Sequence, residues 1–228
     1  MRFKIRNHII FENENYIAVN KPAGISSLHE RLGRNLSVVE AVKAYDEDAQ
    51  LCHRLDKYTS GLLLISKNAE AYRNAAIQFE KRKVGKVYHA VSCGIHDFKD
   101  LTIDLPLTTT RSGRASVNKA KGKESKTRVN SIENFGKFTL VECTPLTGRL
   151  HQIRIHLASL GASIAMDEVY GGCVPYLSAI KPKFNLSKGS EEIPIIGRFA
   201  LHAYGLNIKD VNGDKLDITA EYPKDFPV

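Results

Sequence analysis

The stretch LCHRLDKYTSGLLLIS (residues 51–66) joins two parts that disagree about burial. Leu62, Leu63, Leu64 and Ile65 form an apolar run suited to a strand inside a core. Within ten residues ahead of it stand His53, Arg54, Asp56 and Lys57. Charges so close to a buried strand are costly to desolvate unless they are paired. Asp56 is the residue to account for: either it makes a surface ion pair of small energetic value, or it is a carboxylate held in place for chemistry.

Outward from this stretch the pattern is irregular. Ile9-Ile10-Phe11 and Tyr16-Ile17-Ala18-Val19 flank a polar ENEN and predict a short hairpin, closed by the turn signal Lys21-Pro22-Ala23-Gly24. Residues 35–45 predict a helix capped by Asn35 or Ser37. Residues 68–83 predict a second, capped by Asn68, with Ala71, Ala75, Ile77 and Phe79 inward and cations in its last turn. VYHAVSCG and FTLVECTPL read as strands, and HQIRIHLASLG as a short helix ending on Gly161. After DEVYGG an irregular loop occupies about 171–196, and FALHAYGLNI with KLDITA forms a hairpin over Asn212-Gly213. Interleaving without a regular βαβ order predicts an α+β fold with a mixed, largely antiparallel sheet.

Bulk properties narrow the function classes. At 228 residues the chain is expected to form a single domain, residues 1–228, and a monomer. No apolar run approaches a membrane span and no signal-peptide core opens the sequence, so a soluble cytoplasmic protein is expected. Cys52, Cys93, Cys143 and Cys173 are widely spaced with no CxxC, which predicts reduced buried thiols. No HExxH, GxGxxG or P-loop pattern occurs, so no metal and no nucleotide cofactor is expected. The net charge of +8 favours a polyanionic partner, and residues 111–128 concentrate seven Lys or Arg against one Glu. That segment, a hairpin or loop over about 108–128, is either a solvated loop or a nucleic-acid contact.

A second misplaced charge lies on the 151–160 helix. Leu150, Ile153, Leu157 and Leu160 make its apolar stripe, and Arg154 lies roughly 40–60° from Leu150 and Leu157 at about 100° per residue. A guanidinium on that flank either snorkels outward along its stem or points inward, where it wants a carboxylate held bidentately. Pairing Asp56 with Arg154 would solve both problems and hold the carboxylate ionised.

These motifs together resemble RluA-type pseudouridine synthases, which modify ribosomal and transfer RNA. The resemblance rests on HRLDKYTSGLLLISKN, NKPAG at 20–24, KVYHAVSCG at 86–94, TGRLHQIRIHLASLG at 147–161, DEVYGG at 167–172 and RFALHA at 198–203, in family order over about residues 9–210. It implies a pseudouridine-synthase fold and an isomerase without cofactor. Asp56 would be the catalyst, Tyr88 would stack on or bond near the uracil as candidate base, and Arg154 would orient Asp56. Arg54 would fill the space left by a flipped-out nucleotide, and the basic segment with Arg111, Arg114, Lys119, Lys121 and Lys123 would grip RNA. Arg149, His151, Gln152 and His156 read as structural.

The partner implied is rRNA or tRNA, with tRNA or a small rRNA hairpin favoured because the small S4-type RNA-binding domain of many relatives is expected to be absent. Met166 stands where the family carries glycine in Pro-Ile-x-Gly-Asp, which puts the backbone turn there in question. The rival readings are an RNA-binding module without catalysis and a nucleoside or glycoside hydrolase, for which no second carboxylic acid stands out.

Overall fold

The computed structural model of the chain describes residues 3–29, 37–110, 113–181, 183–187 and 189–226. In chain order its first half contains β1 (Ile9–Glu12), β2 (Tyr16–Lys21), α1 (Val38–Tyr45), β3 (Gln50–Leu51), β4 (Ser60–Ser66), α2 (Ala69–Glu80) and β5 (Gly85–Cys93). There follow β6 (Leu101–Asp104), β7 (Leu107–Thr109), β8 (Ala115–Val117), β9 (Lys126–Phe135) and β10 (Phe138–Pro145). The last elements are α3 (Gln152–Ser159), β11 (Leu201–Lys209) and β12 (Lys215–Thr219). The chain divides into two compact units, Met1–Val87 with His202–Pro223 and Tyr88–Leu201 with Lys224–Val228.

In the first unit β4 is the central strand, and all seven of its residues are buried. It pairs antiparallel with β2 and β3 and parallel with β11, while β1 closes on β2 and β12 on β11. Tyr16, Ala18, Leu62 and Leu64 share a core with Ala71 and Ala75 of α2. Asn68 caps α2 by accepting from the Ala71 amide, as its sequence predicts. The helix's third inward position is Gln78, not Ile77, which is exposed. Spacing of i, i+4, i+7 from Ala71 selects residue 78, and the Gln78 amide is satisfied by both backbone groups of Lys209. The helix also ends at Glu80, before the cations expected in its last turn. Ser37 caps α1 in a capping box with Glu40, and Asn35 lies outside the described residues.

In the second unit β5, β10, β9 and β6 pair antiparallel in that order, and β7 and β8 form a separate hairpin. Strand β9 is absent from the expectation because its inward positions include Thr127 beside Val129, which blurs apolar alternation. The thiol expectation fails for one pair: Cys93 on β5 and Cys173 form a disulfide across a separation of 80 residues. Sequence spacing cannot show such a pairing, because strand β5 and the 164–173 turn meet only in the fold, through the Ser92–Ile164 bridge. Cys52 and Cys143 remain free, and burial pushes the Cys52 thiol up to about 12. Among the described residues no helix is long and apolar enough to cross a membrane.

Closing a loop of this length stabilises a fold by about 2–4 kcal/mol in typical cases. Cys93→Ser or reduction is therefore expected to lower the thermal midpoint by several degrees in calorimetry. An unchanged midpoint would show that the bridge adds nothing to stability.

Candidate active site

In the first unit, the loop that carries Asp56 is held through its backbone from several sides. The buried Ser27 hydroxyl donates to the Leu55 carbonyl at 2.8 Å and accepts the Leu55 amide at 3.0 Å. The Asp56 carbonyl accepts from the Thr59 amide, which closes a tight turn. The Lys57 carbonyl accepts from the Gly24 amide and from the Lys21 ammonium, which also donates to the carbonyls of Pro22 and Ile25. Lys21 has no exposed surface. Its charge is stabilised by three carbonyl dipoles, and in return it fixes the two loops that the NKPAG and HRLD motifs form. Asp56 itself is half-buried, and Arg54 is exposed.

His53, Ser60 and Gly61 complete the mounting. His53 Nε2 accepts from the Leu64 amide, and its ring lies against Phe79. Burial, with the Lys86 charge adding to it, drives its pKa down to about 3. The Ser60 hydroxyl bonds His202 Nδ1 at 2.9 Å, and His202 Nε2 bonds the Ala220 carbonyl at 3.0 Å. A carbonyl only accepts, so His202 carries its proton on Nε2 and receives the serine proton on Nδ1. Gly61 has φ +108°, and a Cβ there would stand 2.3 Å from the Ala203 carbonyl oxygen. The Thr-Ser-Gly segment thus sets the close parallel pairing of β4 with β11.

In the second unit, Arg154 is buried, as its helical position predicts, and its bidentate acceptor is Asp167. Nε and Nη2 donate to the two carboxylate oxygens, each at 2.7 Å. The guanidinium carbon lies 4.3 Å from the Phe199 ring centroid and 5.0 Å from that of Tyr170. Two aromatic faces and a fully paired fork make this a dry, oriented cation. In the sequence this carboxylate belongs to DEVYGG, a turn without the periodicity that would place it beside the helix.

Asp167 is presented by a turn that its neighbours enforce. Its carbonyl accepts from Tyr170 and Gly172, and its amide donates to Ile164. The Met166 amide donates to the carbonyl of Cys173, whose sulfur bridges to β5. Met166 adopts φ +64°. The turn here is left-handed, a conformation that favours glycine, and methionine bears the torsional strain.

Around Arg154 the helix α3 is buried over residues 152–157, not along one stripe only. Its polar side chains are satisfied inside. Gln152 accepts from Thr147 and the Arg149 amide and donates to Lys126 and Thr127. His156 bonds Thr127 and the Leu105 carbonyl. These are scaffold contacts, as the sequence suggests. Tyr88 lies half-buried on β5 opposite Cys143 of β10.

Among the described residues of the basic segment, β7 and β8 pair as a hairpin. Thr109 pairs with Ala115, and the chain then turns so that Lys123 exchanges both backbone bonds with Leu107. The Asn118 side chain accepts from Ala120 and Lys121, and Gly122 fits where a Cβ would meet the Asn118 and Pro106 backbones. Arg114, Lys119, Lys121 and Lys123 are exposed, and Arg111 lies outside the described residues. Among the described residues no three His, Cys, Asp or Glu side chains are grouped to hold a metal ion.

The first unit thus carries a carboxylate on a braced turn and the second a buried arginine fork. The model of the RNA pseudouridylate synthase family matches residues 15–159, and the chain belongs to that family. Ribosomal large subunit pseudouridine synthase C of Haemophilus influenzae is 35% identical over 223 residues, covering 95% of this chain and 65% of that protein. The protein of the same name from Buchnera aphidicola is 36% identical over 208 residues, covering 88% and 62%. That from Vibrio cholerae is 34% identical over 171 residues, covering 74% and 54%. The chain therefore spans between half and two thirds of the length of these relatives. Two solved human structures, RNA pseudouridylate synthase domain containing 1 and 4, superpose with a TM-score of 0.72 each at 24% and 23% identity. The first covers 95% of this chain and 83% of its own, the second 97% and 91%, and they establish the pseudouridine-synthase fold.

Two outcomes follow from the geometry. Asp167→Asn leaves the Arg154 charge buried without its counter-charge and is expected to cost about 3–5 kcal/mol in denaturant unfolding. A loss under 1 kcal/mol would show that the pair is dispensable. The pH effect of His53 has a definite sign: its folded pKa lies near 3, below the usual 6.5. The unfolded chain binds the proton first, so this stability is complete above about pH 6.5 and is lost as pH falls toward 3. His53→Gln, which keeps an acceptor for Leu64, should flatten that acid limb in melting curves.

Proposed function

We propose that this chain isomerises uridine in structured RNA to pseudouridine, with Asp56 as the catalytic carboxylate. The observation that carries the reading is the braced turn beneath Asp56, in a chain of the RNA pseudouridylate synthase family. Isomerisation breaks the N1–C1′ bond, turns the uracil and joins C5 to C1′; the C5 proton then leaves and N1 takes one up. Atoms and electrons balance with no cofactor. A carboxylate serves this chemistry by attacking C1′, adding to C6 or removing a sugar proton, and each route needs it ionised and fixed.

Arg154 orients Asp56 in this reading. Tyr88, or a water that it positions, accepts the C5 proton. The uridine must leave its stack to be reached, with Arg54 filling the gap and the cations Arg111, Arg114, Lys119, Lys121 and Lys123 holding phosphates. The names of the relatives point to large-subunit rRNA as the first substrate to test.

Asp56→Asn is expected to abolish pseudouridine formation on unmodified rRNA while retaining RNA binding; turnover by this variant would sink the assignment. Arg154→Lys should lose activity by on the order of 10²-fold, because a point charge cannot replace the planar fork. Free uracil in place of pseudouridine would make the protein a hydrolase, and RNA binding with neither product would make it a binding module.

A further inference from the structure

The hydroxyl of Tyr170 sits at a junction that the proposed chemistry leaves unused. It accepts from the Ala115 amide at 3.0 Å, lies 3.2 Å from the Ala115 carbonyl and 2.9 Å from His151 Nδ1. Ala115 opens β8 of the basic hairpin, opposite Thr109. The other end of the same side chain, its ring, lies against the Arg154 guanidinium. A small core seals the junction: Leu107 and Ala115 of the hairpin pack on Ile155, the residue after Arg154, with Tyr170 against them. His151 meets the Tyr170 ring edge-on at 80° from its place just ahead of α3.

We propose that Tyr170 is a positioning residue that latches the basic hairpin to the Arg154 guanidinium, so that one side chain sets both the RNA grip and the orientation of the arginine. The physical reason is the division of labour within one tyrosine. The hydroxyl has one proton and two lone pairs, enough to hold both backbone groups of Ala115 or to share its proton with His151. The ring covers one face of the cation and is itself fixed by the turn in which the Tyr170 amide donates to Asp167 and its carbonyl accepts from Ser163. Hairpin, carboxylate and guanidinium are therefore tied within a few bonds. Arg114 precedes the latched residue directly, and Lys123 is tied to Leu107 of the same small core. Seating phosphates on these cations loads the element that the hydroxyl holds.

The latch rests on the proposed reading that the hairpin holds RNA, and its test separates the two. Tyr170→Phe keeps the ring on Arg154 and removes only the hydroxyl. Trypsin should cut this variant after Lys119, Lys121 or Lys123 many times faster than the wild type, a readout that needs no RNA or activity. Cleavage at the wild-type rate would overturn the latch. With RNA, Tyr170→Phe should raise KM about tenfold, the equivalent of one or two hydrogen bonds, with a smaller fall in kcat.

A double-mutant cycle with Lys121→Ala/Lys123→Ala supplies the discriminating result. If the hydroxyl secures those lysines, the combined variant is impaired little more than either parent. Effects that multiply would mean that Tyr170 is structural only. Should the wild type bind RNA without making pseudouridine, the cycle is read on Kd. In that case the catalytic reading fails while the latch stands or falls on its own numbers. Tyr170→Leu, which removes the ring as well, should depress kcat further than Tyr170→Phe; equal kcat values would deny the link to Arg154.

Discussion

The buried pair between Arg154 and Asp167 is the constraint around which the second unit is arranged. A guanidinium with 5% exposure against a carboxylate with 1% has little water to turn to. Such a pair forms only where geometry is set in advance, because desolvation consumes most of the attraction unless both partners are fully hydrogen-bonded. The surroundings meet that demand. Aromatic rings cover the cation, the turn over residues 164–173 aims the carboxylate, and the disulfide at Cys173 joins that turn to β5. Even the burial of α3 on its polar side follows, since Gln152 and His156 spend their bonds on the β9 backbone and Thr127 beneath the same helix.

The first unit meets a related demand by a different route. Asp56 stays half-buried, and what is fixed is the peptide on each side of it. Ser27 holds Leu55, and Gly24 with the Lys21 ammonium holds Lys57. Holding the backbone on both sides of Asp56 restricts where its carboxylate can reach. The misfit between charges and apolar run in LCHRLDKYTSGLLLIS has this origin: a hydrogen-bonded turn that carries the charges leads directly into the buried strand β4.

How much of this was legible follows from the kind of signal involved. Hairpins, helices and the Asn68 cap are local, and local periodicity found them. The inward guanidinium at residue 154 was legible too, because helical geometry fixes a direction without knowledge of the partner. Its partner Asp167 was not, since it sits in a turn with no periodicity and is brought to the helix by tertiary packing. The Cys93–Cys173 bridge was hidden for the same reason. Ile77 and Gln78 show a subtler limit: composition favoured the isoleucine, whereas position around the helix and the Lys209 backbone groups that it bonds favoured the glutamine. The roles proposed for Asp56 and Tyr88 come from family resemblance, which no physical reading of the residues alone supplies.

Met166 carries a consequence for reading relatives of this chain. A methionine where glycine is usual looks like erosion of a motif, yet the left-handed torsion survives, at a strain of about 1–2 kcal/mol. A residue other than glycine can therefore hold the turn that presents the Asp167 carboxylate, and the torsion at this position tells more than its identity.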